Sequence, residues 1–93
     1  MDDKQEITER RQFFLTFPED LINHPILYKV STEFDVIPNI LGASITEKLG
    51  KVAIELEGAP GKRDAVIRSF RELGVNVEDL DGPGDIQDRL AGN

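Results

Sequence analysis

What most constrains this chain is the way its hydrophobic period switches along its length. Phe13, Leu15 and Phe17 stand two apart, the spacing of a strand with one apolar face. Ile26, Leu27, Val30 and Phe34 then follow at helical spacing. Pro25 fits the first position of that helix, with Asn23 or His24 before it as N-cap. Period two returns over Val36 to Glu47, where Leu41, Ala43 and Ile45 share one face. It returns again over Val52, Ile54 and Leu56, with Gly50 expected in the turn between the two strands. After Gly58-Ala59-Pro60-Gly61 breaks the chain, a second helix carries Val66, Ile67, Phe70 and Leu73 and stops at Gly74. Val75 and Val77 begin a last strand.

Strand, helix, strand, strand, helix, strand is the order of a ferredoxin-like α+β fold, βαββαβ. It predicts a four-stranded antiparallel sheet with two helices on one face. The second strand then lies on an edge, and Pro38 agrees, because proline cannot donate to a ladder. The expected organisation is a flexible N-terminal segment over residues 1–10, one domain over 11–81 and a flexible C-terminal tail over 82–93. Ile86 and Leu90 could mark a loose helical turn in that tail, but two anchors are too few to hold it.

The 93 residues suit one small domain. Acidic side chains outnumber basic ones 18 to 11, a net charge of −7 that argues against nucleic acid and anionic membrane surfaces. There is no cysteine, so disulfides, thiolate metal sites and thiol chemistry are excluded. No apolar stretch is long enough for membrane insertion, and the start Met1-Asp2-Asp3 is no signal peptide. The expectation is a cytoplasmic protein with no cofactor and no metal.

Nor does the sequence read as an enzyme. His24 is the sole histidine and lacks a legible nucleophile or orienting partner, so it reads as a helix cap or an exposed side chain. Gly58-Ala59-Pro60-Gly61-Lys62-Arg63 is too short between its glycines for a phosphate loop, and arginine follows the lysine where Ser or Thr is needed. It reads as a solvated turn. Glu55 and Glu57 point outward by alternation and read as solvated charges.

Two helices cover only one face of such a sheet. The opposite face is expected to carry Gln12, Phe14 and Thr16 of the first strand, Ile40, Gly42 and Ser44 of the second and Ala53 and Glu55 of the third. That is more apolar than a solvated face requires, and together with the unpaired second strand it suggests a self-association or ligand surface.

Asn39-Ile40-Leu41 opens the second strand, and around it the chain resembles the NIL domain family, named for this tripeptide. The resemblance includes Phe14-Leu15-Thr16-Phe17, Pro25, Phe34-Asp35-Val36, Val52 to Gly58, and the run Phe70-Arg71-Glu72-Leu73-Gly74-Val75-Asn76-Val77-Glu78. It covers roughly residues 13–80. It implies a regulatory domain of the kind found at the C-terminus of the ATP-binding subunit of methionine importers, here without an ATPase motif. It further implies a homodimer that senses methionine or a related amino acid at its interface, with an unseen protein as the regulated partner. By motif, Asn39 contacts the ligand through an amide that both donates and accepts, while Ile40 and Leu41 supply apolar wall. Read without the family, Asn39 after Pro38 is an Asx turn. The alternative to a sensor is a protein-interaction adaptor of NIL fold that has lost ligand binding.

Overall fold

The computed structural model describes residues 9–80 and 86–91. Strand β1 (Glu9–Pro18) runs through a short 3-10 turn into helix α1 (Ile26–Phe34), followed by β2 (Ile37–Ile45) and β3 (Leu49–Gly58). Helix α2 (Pro60–Leu73), strand β4 (Asn76–Asp79) and a last helix α3 (Ile86–Ala91) complete the order. The strands form one four-stranded sheet in the order β2-β3-β1-β4, all neighbours antiparallel. This is the ferredoxin-like topology expected, with β2 on one edge and β4 on the other.

Local chemistry explains the element ends. The Pro25 carbonyl accepts from the Lys29 N–H at 3.0 Å, so α1 begins at Ile26, one residue later than expected. Pro60 opens α2 at a position where its missing N–H costs nothing. Gly74 ends α2 with φ 106°, a left-handed conformation that a side chain would strain. Its N–H donates to the Arg71 carbonyl at 3.1 Å and the Val75 N–H to the Phe70 carbonyl at 2.9 Å, the paired bonds of a Schellman motif. The turn between β2 and β3 falls at Thr46 to Lys48 rather than at Gly50. Thr46 Oγ1 accepts from the N–H groups of Lys48 and Leu49 at 3.2 and 3.1 Å. Gly50 lies inside β3, opposite both Phe17 and Ile45.

The main core lies between the sheet and the two longer helices. Phe13, Leu15, Phe17, Val52, Ile54, Leu56 and Val77 meet Ile26 and Val30 of α1 and Val66, Ile67 and Phe70 of α2. Arg63, expected in a solvated turn, is only 3% exposed. It occupies the i position of the α2 stripe 63, 66, 67, 70, which explains its burial. Lys62 beside it turns outward and pairs with Asp35 at 3.2 Å.

Two expectations about the chain ends change. Glu9 and Arg10, placed in the flexible N-terminal segment, belong to β1 opposite Gly58 and Glu57. Residues 86–91, placed in the flexible tail, form α3 and pack on the sheet face away from α1 and α2. Residues 1–8, 81–85 and 92–93 lie outside the described residues.

Candidate functional site

Residues directly opposite on neighbouring strands share a face, so the register assigns each candidate residue. On β1 and β3, Phe14 opposes Ala53 and Thr16 opposes Lys51, while Phe13 and Leu15 oppose Ile54 and Val52 of the main core. Phe14, Thr16 and Ala53 therefore lie on the face away from α1 and α2, as expected. Ser44 also opposes Lys51 and joins them.

Ile40 does not. The register slips between Ile40 and Gly42: Ile40 opposes Ile54, whereas Gly42 opposes Ala53. Leu41 is the extra residue of a β-bulge, and one extra residue reverses the alternation on its upstream side. Ile40 thus faces the helix side, and Asn39, opposite Glu55, faces the other. The tripeptide is split across both faces with a bulge between, so Ile40 cannot form a wall beside Asn39 within one copy. The placement of Ile40 with Phe14 and Ala53 is corrected accordingly.

The face away from the main core is consequently ordered in three rows. Asn39, Glu55 and Gln12 form a polar row across β2, β3 and β1. Glu55 and Gln12 are half-buried, and Gln12 Nε2 donates to Glu55 Oε2 at 3.4 Å. Next comes a row of Gly42, Ala53, Phe14 and Glu78, of which Ala53 and Phe14 are buried beneath α3. The third row is Ser44, Lys51, Thr16 and Asn76. Phe14 and Ala53, expected to be an accessible apolar surface, are instead covered by Ile86, with Leu80 and Leu90 beside it.

Exposed apolar surface is found elsewhere, along the β2 edge. Ile40 is 62% exposed, Ile45 61% and Tyr28 of the adjoining α1 72%. Leu27 and Tyr28 line two hollows there. One of about 290 Å³ reaches Phe17, Ile45 and Val52, and one of about 320 Å³ reaches Ile37, Pro38 and Ile40. Across its nine residues β2 carries no charge, and among the described residues no strand pairs with its outer side. Sequence reasoning placed the edge strand, Gln12 and Glu55 correctly but missed Tyr28 and the presence of Asn39 on the face of Gln12 and Glu55. Tyr28 sits off the apolar stripe of α1, a signal that could have marked it.

The NIL domain family model matches residues 13–79, nearly all of the sheet and the two longer helices. The chain belongs to the NIL domain family. Over 71 residues it is 35% identical to the methionine import ATP-binding protein MetN 1 of Listeria innocua serovar 6a, covering 72% of this chain and 21% of that protein. The same protein of Listeria monocytogenes serotype 4b matches to the same extent. The chain thus spans about a fifth of the length of these relatives. In fold it is similar to the C-terminal domain of an ABC transporter ATP-binding protein from Enterococcus faecalis, with a TM-score of 0.69 at 23% identity, covering 78% of this chain and 86% of that one.

Among the described residues, no cluster of three or more His, Cys, Asp or Glu is arranged to hold a metal ion, and no helix is long and apolar enough to cross a membrane. His24 is exposed at the start of α1. Arg10 approaches Glu57 at 3.7 Å, so that outward carboxylate has a cationic neighbour.

Proposed function

We propose that this chain is a regulatory, non-catalytic domain that binds methionine or a related amino acid between two copies in the cytoplasm. The observation that carries this reading is the Asn39–Glu55–Gln12 row, which ends at the uncharged, unpaired edge of β2. An amino acid presents a carboxylate and an ammonium. The amide N–H groups of Asn39 and Gln12 suit the first and the Glu55 carboxylate the second. Methionine is favoured among amino acids because the relatives are methionine import proteins.

The second copy docks along β2, where main-chain groups of the two edges pair and Tyr28, Ile40 and Ile45 supply apolar contact. Asn39, on that edge strand, is then placed to let one ligand touch both copies. A ligand held by both favours one arrangement of the pair, which a regulated protein reads.

The test is thermal unfolding at fixed protein concentration with L-methionine titrated to millimolar levels and alanine as control. Ligand at ten times its dissociation constant adds about 1.4 kcal/mol, a rise of several degrees for a domain of this size. The rise is expected to saturate, to be specific for methionine and to disappear in Asn39→Ala. A flat response overturns methionine as the ligand. The adaptor reading is favoured by the apolar β2 edge, which needs no ligand in order to associate. Its expected result is a dimer by sedimentation that methionine does not alter.

A further inference from the structure

Helix α3 rests in a seat shaped by the sheet beneath it. Phe14 and Ala53 are buried against Ile86, which is itself only 6% exposed, and Leu80 and Leu90 pack beside them. Gly42 forms part of the floor. A Cβ there would stand 2.6 Å from Leu90 Cδ1, the far end of a flexible side chain, and 3.6 Å from Ile86 Cγ2, so a bare strand lets both aliphatic side chains settle and a large side chain would crowd them. The Arg89 guanidinium lies 4.4 Å from the centre of the Phe14 ring and pairs with Glu78. The seat therefore selects an aliphatic residue at i, arginine at i+3 and an aliphatic residue at i+4.

Its occupant is weakly fixed by its own length. Six residues are too few to hold a helix without external contacts, and Ile86 and Leu90 are its two aliphatic anchors. We propose that the seat is a docking site for an amphipathic helix of a partner protein with the pattern aliphatic–x–x–Arg–aliphatic, and that α3 is a built-in occupant the partner displaces. The bare floor, the aromatic ring and the Glu78 carboxylate recognise that pattern whichever chain supplies it. The net charge of −7 and Glu78, the carboxylate of β4 that shares a face with Phe14, favour a helix bearing cations. Covalent attachment is the advantage of α3, equivalent to a millimolar effective concentration. A partner helix of several turns overcomes it by reaching past the ends of α3. The main core lies on the other side of the sheet, so emptying the seat leaves the domain folded.

The experiment uses the full chain and a synthetic peptide of residues 84–93 as probe, read by NMR at the Ala53 methyl and the Phe14 amide. Leu90→Asp empties the seat, and unchanged Ile54 and Val77 signals verify the fold. Should that variant fail to fold, Ile86→Asp replaces it. The expected result is saturable binding to the emptied variant with a dissociation constant of about 0.1 mM and about tenfold weaker binding to the wild type, where α3 competes at its millimolar effective concentration. A peptide with glutamate at the position of Arg89 is expected not to bind, nor is any peptide expected to bind a variant that also carries Gly42→Leu. An emptied seat that ignores the peptide overturns the proposal, as does equal binding to both proteins. So do contacts between α3 of one wild-type copy and Ala53 of another, because the seat is then an exchange site between copies. None of these readouts involves methionine, so they stand or fall apart from the sensor reading.

Discussion

Strand β4 closes one side of the sheet with four residues, two of them carboxylates, while β2 lines the other side with nine residues and no charge. The carboxylates of β4 are also tied back to the domain: Asp79 pairs with Arg11 at 2.8 Å, and Glu78 with Arg89 of α3. Short length and charge are common means of stopping a sheet edge from recruiting another strand. The β2 edge has only Pro38 and the bulge at Leu41 to restrain it, and both lie in its first half. From Gly42 to Ile45 it is regular, uncharged and flanked by Tyr28. The two edges share one sheet and one solvent, and their difference supports the proposal that β2 pairs with a strand of another copy.

The largest effect should come from placing a guard on the open edge. Ile40→Asp in both copies sets like charges near each other in an apolar contact, at a cost of several kcal/mol. Sedimentation equilibrium should show dimer affinity lowered about a hundredfold or more, with the far-ultraviolet circular dichroism of each copy unchanged. An equally stable dimer would mean that the copies meet elsewhere. Val77→Ala probes the closed edge. Val77 is buried opposite Leu15, so the loss falls on folding: about 2 kcal/mol in urea denaturation, with no change in association once folding is allowed for. The smallest effect belongs to Glu78→Gln. Both members of its pair with Arg89 are substantially exposed, and the loss of stability should be below about 1 kcal/mol and fade in high salt.

The sequence carried most of this architecture, because the evidence for it is local. Alternation in β1 and β3, the stripe of α2, the stop at Gly74 and the edge position marked by Pro38 all rest on neighbours a few residues apart. What was not legible depends on parts distant in the chain. The helix α3 has few anchors of its own, and its seat exists only once β1, β2 and β3 bring Phe14, Gly42 and Ala53 together. The polar row is likewise a product of register, joining Gln12 to Glu55 and Glu55 to Asn39. Two misreadings did leave a local trace. An isolated glycine within a strand pattern marks a bulge or a close approach, and Gly42 marks both. Arg63 occupies a stripe position of α2, where burial outweighs the usual preference of arginine for solvent.

The bulge at Leu41 makes strand pairing a determinant of the site in its own right. Upstream of it β2 keeps one phase and downstream the opposite phase, so Asn39 and Gly42 look the same way although three positions apart. A substitution at Leu41 leaves that phase relation in place. Loss of Leu41 would remove the bulge and leave every upstream side chain on its present face, with Asn39 still opposite Glu55 and Ile40 still opposite Ile54. A pairing that kept Leu41 but ironed out the bulge would instead turn Asn39 to the helix side and Ile40 to the other, so the bulge, more than any one side chain, decides which face the tripeptide presents.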